Sequence, residues 1–160
     1  MGGNGTLRRM KRRILLTLAA LVALPALAAP EAPYNEQADA RAELNQALAQ
    51  AAQHNKKVLV VYGANWCKDC LALDRGFAQG KLAGEVGKRY VVLKVNVGRF
   101  DRNVDLAQQM GVTLKKGIPT VAVLGADGQV QGSTLGGELA DARNMGEEAV
   151  LKVLAEVGRH

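Results

Sequence analysis

Two short runs of aliphatic and β-branched residues predict buried strands. The first is Lys57 to Ala64, KVLVVYGA, and the second is Tyr90 to Val97, YVVLKVNV. Such nearly continuous apolar character is typical of strands that are covered on both faces in a parallel or mixed sheet. A third run, VAVL, follows Thr120, and the turn Ala126-Asp127-Gly128 leads into a short predicted strand over Gln129–Gln131.

Apolar residues at helical spacing predict helices around these strands. The segment 35–55 is rich in Ala, Gln and Glu, and its narrow apolar stripe of Ala40, Leu44, Leu48 and Ala51 indicates a surface helix. The other predicted helices are CKDCLALDRGF from Cys67, Lys81–Lys88, Asn103–Met110 with Asn103 as its cap, and Glu147–Val157. Together the patterns predict an α/β domain.

The first 28 residues have the pattern of a secretory signal peptide. The basic n-region consists of Arg8, Arg9, Lys11, Arg12 and Arg13. An apolar h-region of 11 residues follows, and Ala26-Leu27-Ala28 then supplies a small-x-small cleavage pattern. We expect cleavage before Ala29, a flexible lead-in over residues 29–36 and one domain over residues 37–160.

Two alternatives remain open at this end of the chain. Translation can start at Met1 or at Met10, because either start leaves a complete signal. The apolar stretch is shorter than the roughly 20 residues of a membrane-spanning helix, but an uncleaved anchor is the alternative to cleavage. Cleavage predicts a periplasmic or secreted protein, whereas an uncleaved amino-terminal segment predicts an exported domain anchored to the membrane.

Removal of the signal changes the meaning of the charge. The whole chain has a formal net charge of +6 with 21 basic and 15 acidic residues, and five of the basic ones lie in the first 28 positions. The remaining chain is therefore almost neutral. Aromatic residues make up 4% of the chain, so neither a basic surface nor a stacking surface for nucleic acid is indicated.

The only two cysteines, Cys67 and Cys70, lie in the segment Trp66-Cys67-Lys68-Asp69-Cys70. Residues three apart at a helix start lie on one face, so the pair can cycle between dithiol and disulfide. The free N–H groups of the first turn favour a thiolate on Cys67, while Cys70 is expected to be more buried and to resolve mixed disulfides.

Two other roles for the cysteines are less favoured. Zinc takes four ligands, and the chain adds only His54 and His160 to the two thiols, so no metal site is predicted. A purely structural disulfide closing so short a loop would stabilise the fold only weakly.

Three features carry a family resemblance: the strand before the cysteines, the Cys-x-x-Cys segment that begins after Trp66, and the later Gly117-Ile118-Pro119-Thr120. With them the chain resembles the thioredoxin superfamily, in particular exported, periplasmic thiol:disulfide interchange proteins. The resemblance covers about Gln37 to Val157. It implies a thioredoxin-like fold with a central mixed β-sheet flanked by helices. It further implies a cis bond before Pro119, a substrate groove shaped by Ile118 and Pro119, and packing of Trp66 beside the sulfurs.

The chain departs from the family pattern at one strand position. Six residues before Cys67, where thioredoxins carry a buried aspartate, the residue is Val61. The strand lysine that accompanies this aspartate is present as Lys94, so Lys94 and Asp69 are the candidate proton relay. The charges of Lys68 and Asp69 should partly cancel, and the histidine of strongly oxidising members is missing between the cysteines.

These features predict an enzyme, an exported thiol:disulfide oxidoreductase that acts on protein or peptide cysteines, more as a reductase or isomerase than as a dedicated oxidant. The resemblance implies no dissociable cofactor, because the Cys67–Cys70 disulfide is the redox group. Expected partners are substrate thiols and disulfides and a membrane thiol reductant, and the protein is expected to be monomeric. The alternatives are a copper metallochaperone that uses both cysteines and a non-catalytic binding module.

Overall fold

The computed structural model describes residues 1–3 and 32–159. Residues 4–28 of the predicted signal peptide and the first three residues of the lead-in lie outside the described residues, as does His160. The helices are α1 Ala40–His54, α2 Lys68–Phe77, α3 Gly80–Arg89, α4 Val104–Gln109 and α5 Glu147–Val157, and the strands are β1 Lys57–Gly63, β2 Tyr90–Asn96, β3 Thr120–Leu124 and β4 Val130–Ser133. Within the described ranges, none of the helices is both long and apolar enough to cross a membrane.

The four strands form one mixed sheet in the order β2-β1-β3-β4. Strand β1 runs parallel to β2, which places Val61 opposite Lys94. It runs antiparallel to β3, which places Val61 opposite Val121 on the other side. β3 and β4 are also antiparallel. The predicted mixed sheet flanked by helices is confirmed.

Strand β1 divides the core into two clusters, because successive side chains point to opposite faces. Leu59 and Val61 pack in one cluster with the two cysteines and with residues of α2, α3 and α5. Val58, Val60 and Tyr62 pack in the other with residues of α1 and α4. Because β1 is buried on both faces, its sequence is almost continuously apolar.

The predicted helices and strands are all present, but several boundaries differ. Helix α1 begins at Ala40 because Asp39 caps it, accepting hydrogen bonds from the backbone N–H groups of Arg41 and Ala42. Asn103 is the N-cap of α4, but its side chain donates to the Asn96 carbonyl and makes no cap hydrogen bond. The final strand runs from Val130 to Ser133, beyond the predicted end at Gln131.

Tyr34 belongs to the packed domain, although it precedes the predicted domain start at Gln37. Its side chain is 1% exposed and lies in the cluster that contains both cysteines. The ring crosses Gly63 at the end of β1, where a side chain would collide with it. The core therefore includes part of the segment that the sequence pattern assigned to the lead-in.

Candidate active site

Cys67 and Cys70 form a disulfide at the start of α2, with their Cα atoms 5.2 Å apart. Cys67 is the N-cap, and its Sγ accepts a hydrogen bond of 3.2 Å from the backbone N–H of Cys70. Cys67 is 6% exposed and Cys70 is fully buried. In the reduced protein the same N–H group and the helix dipole would stabilise a thiolate on Cys67.

The turn before Cys67 is fixed to the amino-terminal segment by Asn65. The Asn65 Oδ1 accepts from the Tyr34 N–H at 3.1 Å, and its Nδ2 donates to the Tyr34 carbonyl at 2.8 Å. The Cys67 N–H closes the turn on the Ala64 carbonyl at 3.1 Å. These bonds satisfy the backbone of both segments, so the position of Cys67 depends on Tyr34, 33 residues earlier in the chain.

The loop before β3 brings Ile118 and Pro119 against the cysteines. The Ile118–Pro119 peptide bond is cis, as the family resemblance implied. The Ile118 carbonyl oxygen lies 3.6 Å from Cys67 Sγ, within reach of a donated thiol hydrogen when Cys67 is reduced. The Thr120 hydroxyl donates to the Gly117 carbonyl at 2.8 Å and so ties the two ends of this loop together.

Trp66 is 46% exposed and is held by the loop that follows β2. Its indole Nε1 donates to the Gly98 carbonyl at 2.7 Å. Its ring makes an edge contact with Phe100, with centroids 6.3 Å apart, and the Arg99 guanidinium lies 5.3 Å above it. The sequence patterns did not identify Arg99 or Phe100, because no local motif marks a loop that reaches back to the cysteine turn.

Phe100 also borders an open groove of about 620 Å³. Apolar side chains dominate its walls, and Lys115 lies at its border. The lining includes Phe100, Val104, Gln108, Val112, Leu114 and Lys115. Lys115 lies four residues before Pro119, so the segment that leads into the cis-proline loop forms part of the groove wall.

The two candidate relay residues belong to separate ion pairs. The Asp69 Oδ1 accepts from the backbone N–H of Arg143 at 3.1 Å and lies 3.3 Å from the Arg143 Nε. Lys94 Nζ instead donates to Asp74 Oδ1 at 2.7 Å. Asp74 was not identified from the sequence, although its spacing of four residues from Cys70 along a helix was a readable signal.

A buried phenol lies near this second ion pair. Burial raises the pKa of Tyr34 far above its usual value, and the negative charge of Asp74 raises it further. Tyr34 therefore remains protonated at neutral pH. Within the part of the chain that the structure describes, its hydroxyl has no hydrogen-bond partner.

The described residues bring together no group of three or more His, Cys, Asp or Glu side chains suited to a metal ion. The chemistry available at the site is that of the two sulfurs. Cys67 lies at the helix start and is slightly exposed, and Cys70 lies one turn further on and is fully buried. This arrangement suits disulfide exchange.

Comparison with known proteins agrees with this chemistry. A family model described as Thioredoxin-like matches residues 39–126. A search of curated protein sequences finds no match. Among solved structures, the chain is similar to a disulphide isomerase from Xylella fastidiosa Temecula1, with 42% identity and a TM-score of 0.75 over 81% of this chain and 98% of that chain.

A more distant structural neighbour supports the fold alone. It is the oxidised C-terminal domain of DsbD from Neisseria meningitidis, with 17% identity and a TM-score of 0.51 over 78% of this chain and 97% of that chain. The family match spans more than half of the sequence and includes the strand, turn and helix that carry the disulfide. The chain therefore belongs to the thioredoxin-like family and is a thiol–disulfide oxidoreductase whose redox group is the Cys67–Cys70 disulfide.

Proposed function

We propose that the protein is exported and acts on protein or peptide cysteines as a disulfide reductase or isomerase, not as a dedicated oxidant. The observation that carries this proposal is the unequal placement of the two sulfurs against the cis-proline loop. Similarity to a protein described as a disulphide isomerase supports the isomerase side of the proposal.

The cycle uses each sulfur for one step. In the reduced protein the Cys67 thiolate attacks a substrate disulfide, forms a mixed disulfide and releases one substrate thiolate, which takes up a proton. The Cys70 thiol then loses its proton and attacks Cys67 Sγ, so that the Cys67–Cys70 disulfide forms and the second substrate thiol leaves. The substrate gains two electrons and the protein loses two, which a thiol reductant must replace.

The substrate segment is proposed to lie along the cis-proline loop. An extended chain can pair with backbone groups around Ile118, as in strand addition to a sheet edge. A neighbouring apolar side chain would then enter the groove beside Phe100 and Leu114, where it is removed from water. Binding of this kind selects apolar, partly unfolded segments, which are the regions that expose mispaired cysteines.

The proposed direction of electron flow follows from the residues between the cysteines. The family resemblance links a histidine at this place to strongly oxidising members, and here the residues are Lys68 and Asp69. The proposed electron donor is a membrane thiol reductant, and the proposed working form is a monomer in the periplasm or outside the cell.

The reduction potential is the measurement that tests this proposal. The purified protein is equilibrated with glutathione redox buffers, and we expect a potential of about −180 mV or lower, the range of isomerases and reductases and below that of dedicated oxidants. Reactivation of a scrambled disulfide protein should occur in parallel and should be lost in a Cys67→Ser/Cys70→Ser variant. A potential near −120 mV, typical of a strong oxidant, would contradict the proposed direction. Tight Cu(I) retention without turnover would indicate the metallochaperone instead.

A further inference from the structure

We propose that Asp74 accepts the proton of the Cys70 thiol when Cys70 resolves the mixed disulfide. This inference rests on the proposed exchange cycle and names the residue that serves its second step. Strand β1 offers no acid for that step, because Val61 occupies the position where the family resemblance implies an aspartate. A buried thiol has a raised pKa, so the attack of Cys70 at neutral pH needs a nearby proton acceptor.

Asp74 lies one turn after Cys70 on α2. Residues four apart on a helix are neighbours on one face, with Cβ atoms about 5–6 Å apart, a spacing that a single water molecule can bridge between a carboxylate and a sulfur. Cys70 is fully buried, and the side chain of Asp74 is 25% exposed. The carboxylate can therefore exchange protons with solvent directly, whereas the buried thiol cannot, which suits a group that takes the thiol proton and then releases it.

Lys94 fixes the carboxylate in this position. Lys94 stands on β2 directly opposite Val61 in the parallel register, and its Nζ lies 2.7 Å from Asp74 Oδ1. The carboxylate of Asp74 thus reaches the same lysine that an aspartate at position 61 would meet. A helix residue supplies here what the strand residue does not.

The other titratable groups around Cys70 are less suited to this task. Tyr34 remains protonated because burial and the charge of Asp74 raise its pKa. Asp69 is engaged with the backbone and side chain of Arg143. The charged residues of α3 and α5 lie on the surface, where Lys81 pairs with Glu148 and Glu85 pairs with Lys88.

The proposed step is balanced. The S–H proton of Cys70 passes to the Asp74 carboxylate, and the resulting thiolate attacks Cys67 Sγ. The S–S bond between Cys67 and the substrate breaks while the Cys67–Cys70 bond forms. The departing substrate thiolate takes up a proton from solvent, and Asp74 returns its proton to solvent.

Stopped-flow mixing of the reduced protein with a stoichiometric amount of a chromogenic aryl disulfide separates the two steps. The first aryl thiolate released reports attack by Cys67, and the second reports attack by Cys70. We expect Asp74→Asn to slow the second phase at pH 7 by at least about tenfold, a lower bound set below the roughly 10²–10⁴-fold typical of general acid–base catalysis, while the first phase is unchanged. The deficit should shrink as the pH rises towards 9, because hydroxide then replaces the missing acceptor.

Two variants make the test specific. The matched control is Asp105→Asn, which removes a carboxylate that also forms an ion pair, with Arg41, but lies on α4 away from the cysteine cluster. It should leave the second phase and its pH profile unchanged. The double variant Val61→Asp/Asp74→Asn returns a carboxylate opposite Lys94 and should recover at least part of the second phase at pH 7. It also keeps Lys94 paired if the single variant does not fold.

The outcomes separate this inference from the function on which it rests. A second phase that is equally fast in the parent and in Asp74→Asn, or an equal slowing of both phases, would overturn the role of Asp74. A folded double variant without any recovery would overturn the equivalence between Asp74 and a strand aspartate. A parent protein that releases no second aryl thiolate would instead contradict the exchange cycle itself.

Discussion

At the scale of single residues, the surroundings of Cys67 and Cys70 assign them different chemistry. Cys67 ends an extended turn, and its sulfur accepts the Cys70 N–H and faces the Ile118 carbonyl. Cys70 is fully buried among apolar side chains of the same cluster. A helix start lowers the pKa of a thiol and an apolar environment raises it, so the two thiols should differ widely in reactivity at neutral pH.

We predict that an alkylating agent labels Cys67 first in the reduced protein. The pKa of its thiol should lie below the roughly 8.5 of a free cysteine. Peptide mapping after brief treatment at pH 7 gives the site of labelling. A Cys70→Ser variant should accumulate mixed disulfides with substrate proteins, and Cys67→Ser is the control that should trap none. Preferential labelling of Cys70, or trapping only by Cys67→Ser, would reverse the assignment.

A second prediction at this scale concerns alkaline stability and Tyr34. A tyrosine in the unfolded chain titrates near pH 10, whereas burial and the charge of Asp74 raise the pKa of Tyr34 well above that value in the fold. Its contribution to stability is therefore complete below about pH 10 and is lost as the pH rises further, by up to about 1.4 kcal/mol per pH unit.

The variant Tyr34→Phe should lose less stability than the parent between pH 9 and pH 11. Urea unfolding at both values measures this difference. At pH 7 the variant should be at least as stable as the parent, because it removes a buried hydroxyl that has no partner among the described residues. Burial also raises the pKa of Tyr62, so the remaining alkaline loss should fall again in Tyr34→Phe/Tyr62→Phe. Identical losses in the parent and Tyr34→Phe would contradict the assignment.

At the scale of secondary-structure elements, the active site depends on how the amino-terminal segment packs on β1. Asn65 binds both backbone groups of Tyr34, and the Tyr34 ring lies across Gly63. Glycine is required at this point because an added Cβ would lie 2.4 Å from atoms of the ring. The end of β1, the cysteine turn and the residues before α1 therefore form one packed unit.

We predict that Gly63→Ala destabilises the protein by about 1–3 kcal/mol, the usual cost of overpacking a filled core. Urea unfolding of the oxidised protein measures the change. Gly84→Ala is a matched control, because an added Cβ on that exposed glycine of α3 meets no atom within 4 Å. The control should gain about 0.5–1 kcal/mol, because alanine favours a helix interior over glycine. A Gly63→Ala protein as stable as the parent would show that Tyr34 can move at no cost.

The sequence predicted the elements well and their long-range contacts poorly, for a physical reason. Local periodicity and capping signals can be recognised in the sequence itself. They predict the strand β1, the start of α2 at the cysteines and the helix Glu147–Val157. Which carboxylate of α2 meets Lys94 depends on the rotation of the helix against the sheet. That rotation is set by the packing of α2 on the sheet. Sequence spacing alone therefore could not decide whether Asp69 or Asp74 is the carboxylate that pairs with Lys94.

At the scale of the whole molecule, one sheet with a cluster on each face keeps the redox site at the end of β1 and anchors it from both sides. The cluster with α2, α3 and α5 buries Cys70, and the opposite cluster holds α1 and α4. The loop from β2 to α4 carries Phe100 to Trp66 and links the second cluster to the cysteine turn. The fold therefore presents the Cys67 edge at the surface and keeps the resolving thiol inside.

The last prediction concerns the compartment in which this site works. The n-region, the h-region and Ala26-Leu27-Ala28 predict export with cleavage before Ala29. The variant Leu18→Arg places a charge in the middle of the h-region and should leave an unprocessed precursor in the cytoplasm, with both cysteines reduced. Cell fractionation, amino-terminal sequencing and thiol trapping measure location, processing and redox state.

The matched control is Leu135→Arg, which makes the same substitution at a leucine that is 69% exposed in the folded domain. It should be exported and processed like the parent, because a surface charge does not affect signal recognition. Processing of Leu18→Arg at the parent rate would contradict the signal assignment. Recovery of the intact 160-residue parent chain in the membrane fraction would instead establish the uncleaved anchor, in which case the redox domain would work at the membrane surface beside its proposed reductant.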